Sequence, residues 1–439
     1  MATIKLKKGF DLNLKGKIAD TGNIADAPLA AEYVVVPDDF SGIIPRLDKK
    51  EGEKVLAGEA LYHDKSYESV KVCAPVSGVV KEIRRGERRK IEAIVIESDG
   101  KFEHAKFGTG NPLEALCASG LLAFVRQLPY DVVPDPAVKP RDIFVSCFDS
   151  APLAAPAKAT VDNREQFIAK GVEALASLTS GKVYLGCRAD YMVEAPKAET
   201  VVFEGPHPAG LAAVQANNIC PVNKSEVVWM LDVATLARIG RLFAEGIVDS
   251  STVVAVTGQS VKEPKLLRAY MGAPVASLVA GNVDEDDVRI ISGNALSGIA
   301  VGLDGTLRAP YTQVTAIPEG SNADEFMGWA SLSPKKFSVY RTFTSWLFGN
   351  KAINVDSRIN GGERGIVNAG EYDRMIPMDI YSEFLLKAII AFDIEKMEQL
   401  GVYEITPEVF ALAEYADTSK LELQQIVRNG LNRLRAEMS

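Results

Sequence analysis

A chain of 439 residues, 47% hydrophobic and 24% charged, exceeds what one hydrophobic core supports, and three or four domains are expected. Its net charge of -9, with basic residues massed only locally, excludes nucleic acid as the main partner. The longest apolar stretch, Phe384 to Phe392, is interrupted by Lys387 and falls short of the ~18 residues of a membrane span.

Met1 to Lys8 alternates polar and apolar residues without the apolar core of a secretory signal, so the protein is expected to stay where it is made. Tyr33 to Pro37 reads as a short buried strand. Val70 to Cys73, Val76 to Ile83 and Ile91 to Ile96 are further β-branched runs, punctuated by Gly52, Gly58, Ala74-Pro75, Ser77-Gly78 and Gly86. Residues 1–105 are therefore predicted to form an all-β domain. From Arg141 the pattern becomes strand (Ile143 to Cys147), helix (Arg164 to Leu178) and strand (Val183 to Leu185), a βαβ unit of a parallel sheet. The Ala- and Pro-rich stretch Asp149 to Asn163 reads as a long loop, and Asp232 to Phe243 as another helix. Residues 106–250 are thus predicted as a Rossmann-like α/β domain.

Strand signals return at Val253 to Thr257 and Val288 to Ile291, with a short helix at Val275 to Val279, giving a small α+β unit at 251–330. Residues 331–439 are predicted as a linker and a helical C-terminal domain. Pro377 to Gly401 reads as one helical stretch, Thr406-Pro407-Glu408 opens a second with proline at N1, and Ser419-Lys420-Leu421-Glu422 reads as a capping box for a last helix bearing Leu423, Val427, Leu431, Leu434 and Met438.

Chemistry-bearing motifs are few. Cys73, Cys117, Cys147, Cys187 and Cys220 are widely spaced and never in a C-x-x-C pair, so reduced thiols are expected, with neither a disulfide framework nor a metal cluster. Neither G-x-G-x-x-G nor G-x-x-x-x-G-K-[ST] occurs, which removes the usual phosphate cradles. In Gly205-Pro206-His207-Pro208-Ala209-Gly210, two prolines bracket a histidine, a candidate proton donor, ligand or partner loop beside the alternative of a structural corner. Lys81 to Lys90 holds six basic residues, among them Arg84, Arg85, Arg88 and Arg89, around Gly86. That hairpin is a candidate docking patch for anionic headgroups or an acidic neighbour protein, with a solvated tip as the alternative.

The run Glu51 to Leu61 followed by Ala74-Pro75-Val76-Ser77-Gly78-Val79-Val80 resembles the biotinyl/lipoyl-type barrel-sandwich fold, in which Lys65 lies roughly where a carrier lysine would stand. Together with Lys7 to Leu12, Gly205 to Leu211, Val256-Thr257-Gly258, Ile291-Ser292-Gly293 and Gly370 to Ile380, these segments make the whole chain resemble the A subunit of the sodium-translocating NADH:quinone oxidoreductases (Na+-NQR). That family is similar in architecture to the NADH- and flavin-binding subunit of respiratory complex I and to the C subunit of the Rnf complex. Val253 to about Ile299 looks like their soluble-ligand-binding β-grasp (SLBB) domain. The stretch Gly120 to Pro129 lacks the relatives' flavin-loop glycines, and the region from Glu371 to Ser439 has no cysteine for an iron–sulfur cluster. After Leu211, where many members carry histidines, this chain reads Ala212 to Asn218 without one.

The resemblance implies a peripheral subunit on the cytoplasmic face of the bacterial inner membrane, in a complex that uses FMN, FAD, riboflavin, iron centres, NADH, quinone and Na+. It implies that no cofactor is bound by this chain itself, that the B to F subunits are partners with the membrane-embedded B subunit the direct one, and that the role is docking, with a contribution to the quinone site. A flavin- or NADH-binding dehydrogenase subunit and a biotin/lipoyl carrier remain as alternatives.

Overall fold

In the computed structural model, which describes residues 2–284, 286–321, 337–341, 343–348, 352–367 and 370–438, the first strands do not join the β unit that follows them. Strand β1 (Ala2–Lys5) runs parallel to residues Val201–Glu204, and β2 (Ile24–Asp26) runs parallel to Leu266–Arg268. The stretch 1–105 thus lends its first two strands to the neighbouring sheets. Short, mostly exposed strands bury too little to build a sheet alone, and completing the open edge of a larger one satisfies their N–H and C=O groups.

The β unit proper holds β3 (Glu32–Val35), β4 (Pro45–Leu47), β5 (Lys54–Val55), β6 (Ala60–Asp64), β7 (Lys71–Cys73), β8 (Gly78–Arg85) and β9 (Ile91–Ser98). They form a four-stranded sheet, β3-β9-β8-β5, and a three-stranded one, β4-β6-β7. Tyr33, Leu61, Tyr62, Val80, Ile94 and Ile96 fill the core between them. At Gly78 a Cβ would stand 2.0 Å from the Glu97 carbonyl oxygen, so the bend after Ala74-Pro75 tolerates only glycine.

The α/β unit contains α1 (Pro112–Ala118), β10 (Arg126–Leu128), β11 (Ile143–Ser146), α2 (Ala157–Val161), α3 (Glu165–Leu178), β12 (Val183–Cys187), β13 (Ala198–Glu204), α4 (Ala212–Ile219), β14 (Val228–Asp232) and α5 (Val233–Glu245). Its sheet order is β1-β13-β12-β11-β14-β10, parallel except at β10. Fully buried Ile143, Val145, Val183 and Leu185 meet Val172 and Leu175 of α3 and Leu236 and Ile239 of α5 on one face. Phe144, Phe203 and Met230 meet α4 on the other. The stretch read as the loop Asp149 to Asn163 holds α2, because Ala157 and Ala159 favour helix and Ala159 and Val161 find a buried face.

The third unit comprises β15 (Ser251–Thr257), β16 (Lys265–Tyr270), α6 (Val275–Val279), β17 (Val288–Ser292), β18 (Ile299–Ala300) and β19 (Gln313–Pro318), in the order β18-β17-β19-β15-β16-β2. The expected boundary between residues 330 and 331 lies outside the described residues. The C-terminal region holds α7 (Ser382–Ala391), α8 (Ile394–Gln399), α9 (Ala411–Ala416) and α10 (Leu423–Met438), packed onto the α4 side of the sheet through Leu386, Phe410, Val427 and Leu431.

Two helix expectations are corrected. The single stretch Pro377 to Gly401 breaks at Phe392, which takes a left-handed φ of 54°, and Asp393 then caps the Lys396 N–H. Ser419 does not cap α10: its hydroxyl donates to the Gly365 carbonyl, and Lys420 turns left-handed at φ 58°. The Gln424 N–H is satisfied at 2.8 Å by Glu414 from α9.

Candidate binding cavity

The connection leaving β11 goes to β12 on one side, whereas β14 lies on the other, so the sheet has a switch point between β11 and β14. Open α/β sheets bind ligands in the crevice outside the carboxyl ends of such strands. A cavity of about 400 Å³ lies there. Its floor is Ser146, Phe148 and Asp149 after β11, Leu231 and Asp232 ending β14, and the entry of α4 at Gly210 to Ala213. Phe40 and Phe124 add an apolar wall, Asn294, Tyr311 and Gln313 come from the third unit, and Glu408 and Arg428 come from the helical region. All four regions therefore meet at one space.

Local bonds fix the floor. Ser146 Oγ donates to the Gly210 carbonyl at 2.6 Å and accepts from Gln215 Nε2 at 3.1 Å. Ser150 Oγ accepts from the Gly210 N–H at 2.8 Å and stands 3.0 Å from His207 Nδ1. Asp232 caps α5 by accepting from the Thr235 N–H at 2.7 Å.

The charges divide into paired and free. Asp131 pairs with Arg428, and Asp39 pairs with Arg308 at 2.6 Å. Arg126 Nη1 is buried without a hydrogen-bond partner, and its Nε is 4.0 Å from Asp131. Asp149, which is open to the cavity, is raised above its ordinary value by the protein enclosing it and then by Asp232. Glu408 is pushed up to about 7 by its enclosure, then by Asp149 and Asp131, while Ser297 Oγ donates to it at 3.2 Å. Its side chain faces cavity space, so water reaches it although protein surrounds it.

This arrangement disfavours phosphate: Asp149, Asp232 and Glu408 would repel it, and the α5 N-terminus is already occupied by its own cap. It suits a ligand with an apolar body and a neutral acceptor, such as a carbonyl, for Arg126. Among the described residues, no group of three or more His, Cys, Asp or Glu side chains converges to hold a metal ion.

The structure separates the residues singled out from sequence. Gly205, Pro206, His207, Pro208 and Gly210 form the corner between β13 and α4, and His207 is only 2% exposed. The His207 N–H donates to Asp11 at 2.8 Å and its carbonyl accepts from the Phe10 N–H at 2.9 Å, so the Lys7 to Leu12 motif straps this loop down. Burial pulls the His207 imidazole down to about 4, leaving it neutral. His207 therefore stands at an interior corner, the alternative weighed beside a proton donor, ligand or partner loop, and of this loop only Gly210 reaches the cavity.

Arg84, Arg85, Arg88 and Arg89 are exposed on the β8–β9 hairpin, outside the cavity lining. Arg84 pairs with Glu82 at 3.0 Å, and Arg85 donates to the Arg89 carbonyl at 3.2 Å. Lys65 is exposed in the turn between β6 and β7. Arg126, Asp149, Asp232 and Glu408 were not found from sequence. The signal available was an acidic residue at or shortly after the end of each of two buried strands, at Asp232 and Asp149.

Three family models match in chain order: the NqrA N-terminal barrel-sandwich hybrid domain at residues 4–99, the NqrA second alpha/beta domain at 111–248, and the NQRA C-terminal domain at 253–302. The chain is 34% identical to the A subunit of the Na(+)-translocating NADH-quinone reductase of Hahella chejuensis, covering 99% of this chain and 100% of the relative. The protein of the same description from Yersinia pestis is 34% identical, and that from Neisseria meningitidis 33%, at the same coverage. Among solved structures, an NAD+-reducing NiFe hydrogenase in its H2-reduced state aligns at 13% identity with a TM-score of 0.40, over 74% of this chain and 61% of that one.

Proposed function

The chain belongs to the NqrA family, the A subunits of the Na+-translocating NADH-quinone reductases, and from that membership we propose that it acts as a peripheral docking subunit on the cytoplasmic face of the inner membrane. It is a subunit of an oxidoreductase complex. In this reading the flavins and iron centres are carried by other subunits, the membrane-embedded B subunit is the direct neighbour, and the α/β and third units are Rossmann-like and β-grasp in type.

The observation that carries the docking role is the outer face of α7. Its inner face, Leu385, Leu386 and Ile389, is buried, yet Tyr381, Phe384 and Ile390 on the outside are 65%, 58% and 57% exposed. Lys387 stands among them, paired with Glu383 at 2.9 Å, and exposed aromatic and aliphatic side chains gathered on one helix face in this way mark an interaction surface. No helix among the described residues is long and apolar enough to cross a membrane, so this face is read as seated against a neighbour. The basic tip at Arg88 and Arg89 adds attraction to an anionic membrane surface.

The paired substitution Phe384→Asp and Ile390→Asp tests it. Co-purification with the other subunits is expected to fall by at least about tenfold, with the circular dichroism of the isolated chain unchanged. Undiminished co-purification would remove α7 as the docking face.

A second reading follows from the cavity, whose apolar walls, free Arg126 donor and readily protonated Glu408 match a quinone head group. Calorimetric titration with a short-chain quinone is expected to give saturable heat that Arg126→Ala abolishes. Absence of saturable heat in the wild-type chain would take the quinone away from this protein.

A further inference from the structure

Two cysteines far apart in sequence are neighbours in the sheet. Ser146 registers with Gly186 across β11 and β12, so the next residues, Cys147 and Cys187, lie side by side. The Cys147 N–H donates to the Gly186 carbonyl at 2.8 Å, continuing the ladder through this pair. Side chains alternate between the faces of a strand. Ser146 and Phe148 reach the cavity, and both thiols therefore leave the sheet on the opposite side, beneath α3 and α5. Both are free and 0% exposed, and their S–H groups donate to the Val145 and Val193 carbonyls at 3.9 and 3.8 Å. Adjacent strands run about 4.8 Å apart, inside the Cα separation of roughly 4.4–6.8 Å that a disulfide spans.

We propose that Cys147 and Cys187 form a dithiol site that a small peroxide oxidises to a cross-strand disulfide on the face of the sheet opposite the cavity. The Cys147 side chain beside it holds the Cys187 thiol below its ordinary value and Cys187 in turn raises that of Cys147, so Cys187 is the nucleophile and Cys147 the resolving thiol. The Cys187 sulfur attacks one oxygen of hydrogen peroxide and the O–O bond breaks. The other oxygen leaves as water with the thiol proton, giving a sulfenic acid. Cys147 then attacks that sulfur, the S–O bond breaks, and a second water leaves with the Cys147 proton. Two electrons have passed from the thiols to the peroxide, and two waters are the products. Phe148 and Asp149 follow Cys147 directly, so the bond ties the cavity floor to β12. The inference does not depend on the docking or quinone readings.

The intact folded chain treated with hydrogen peroxide is expected to lose about 2 Da, with peptide mapping joining Cys147 to Cys187. Cys187→Ser abolishes the link. Cys147→Ser leaves a sulfenic acid on Cys187 that dimedone captures, and Cys147→Ala gives the same result if the serine hydroxyl disturbs the core. A link between these two residues that forms only after unfolding in urea, or peroxide-treated folded protein that retains both thiols, overturns the proposal.

Discussion

At the scale of single residues, Glu408 makes the sharpest demand on pH. Its folded-state pKa, pushed up to about 7, lies above the ordinary carboxylate value, so between those two values the folded chain holds a proton that the unfolded chain has released. Stability from this group is therefore fully present at low pH and is lost as pH rises toward and through 7. Glu408→Gln keeps an acceptor for Ser297 without the charge and is expected to raise the melting temperature at pH 8, the advantage shrinking toward pH 5. Scanning calorimetry across that range checks it, and a pH-independent difference would mean that Glu408 does not titrate in the cavity. None of this was legible in the sequence, because Glu408 gains its neighbours Asp149 and Asp131 only when distant segments converge. His207 stood out for its flanking prolines, yet its role as a buried neutral corner depends on the strap of Phe10 and Asp11, which no local pattern reveals.

At the scale of elements, strong periodicity was readable and the ends were not. The helix α3 and the strands β11, β12 and β15 stand close to where their apolar runs put them. Strands β16 and β19 escaped because Pro264 and Pro318 and mixed polarity blur their limits. The start of α10 shows why caps mislead: Ser419 and Glu422 have the right spacing, but the backbone turns left-handed between them, and the cap comes from Glu414. Glu414→Ala is therefore expected to cost about 1 kcal/mol, whereas Glu422→Ala, at an exposed residue, stays within about 0.5 kcal/mol. Urea denaturation of the two variants decides between the caps, and the reverse order would restore the box.

At the scale of the whole molecule, the order of β, α/β, mixed and helical regions was legible because each has its own period, while the cavity was invisible because every region supplies only part of its wall. The destination of the N-terminal strands was hidden for a related reason: a short polar–apolar alternation says nothing about which sheet receives it. That placement bears on how the chain is made. During synthesis β1 emerges long before Val201 to Glu204 exist, and β2 before Leu266 to Arg268. The first strands must therefore wait unpaired on the ribosome, and contacts so distant in sequence form late. Segments translated well before their partner strands are then the latch that closes last, and assembly cannot proceed as a simple succession of finished domains.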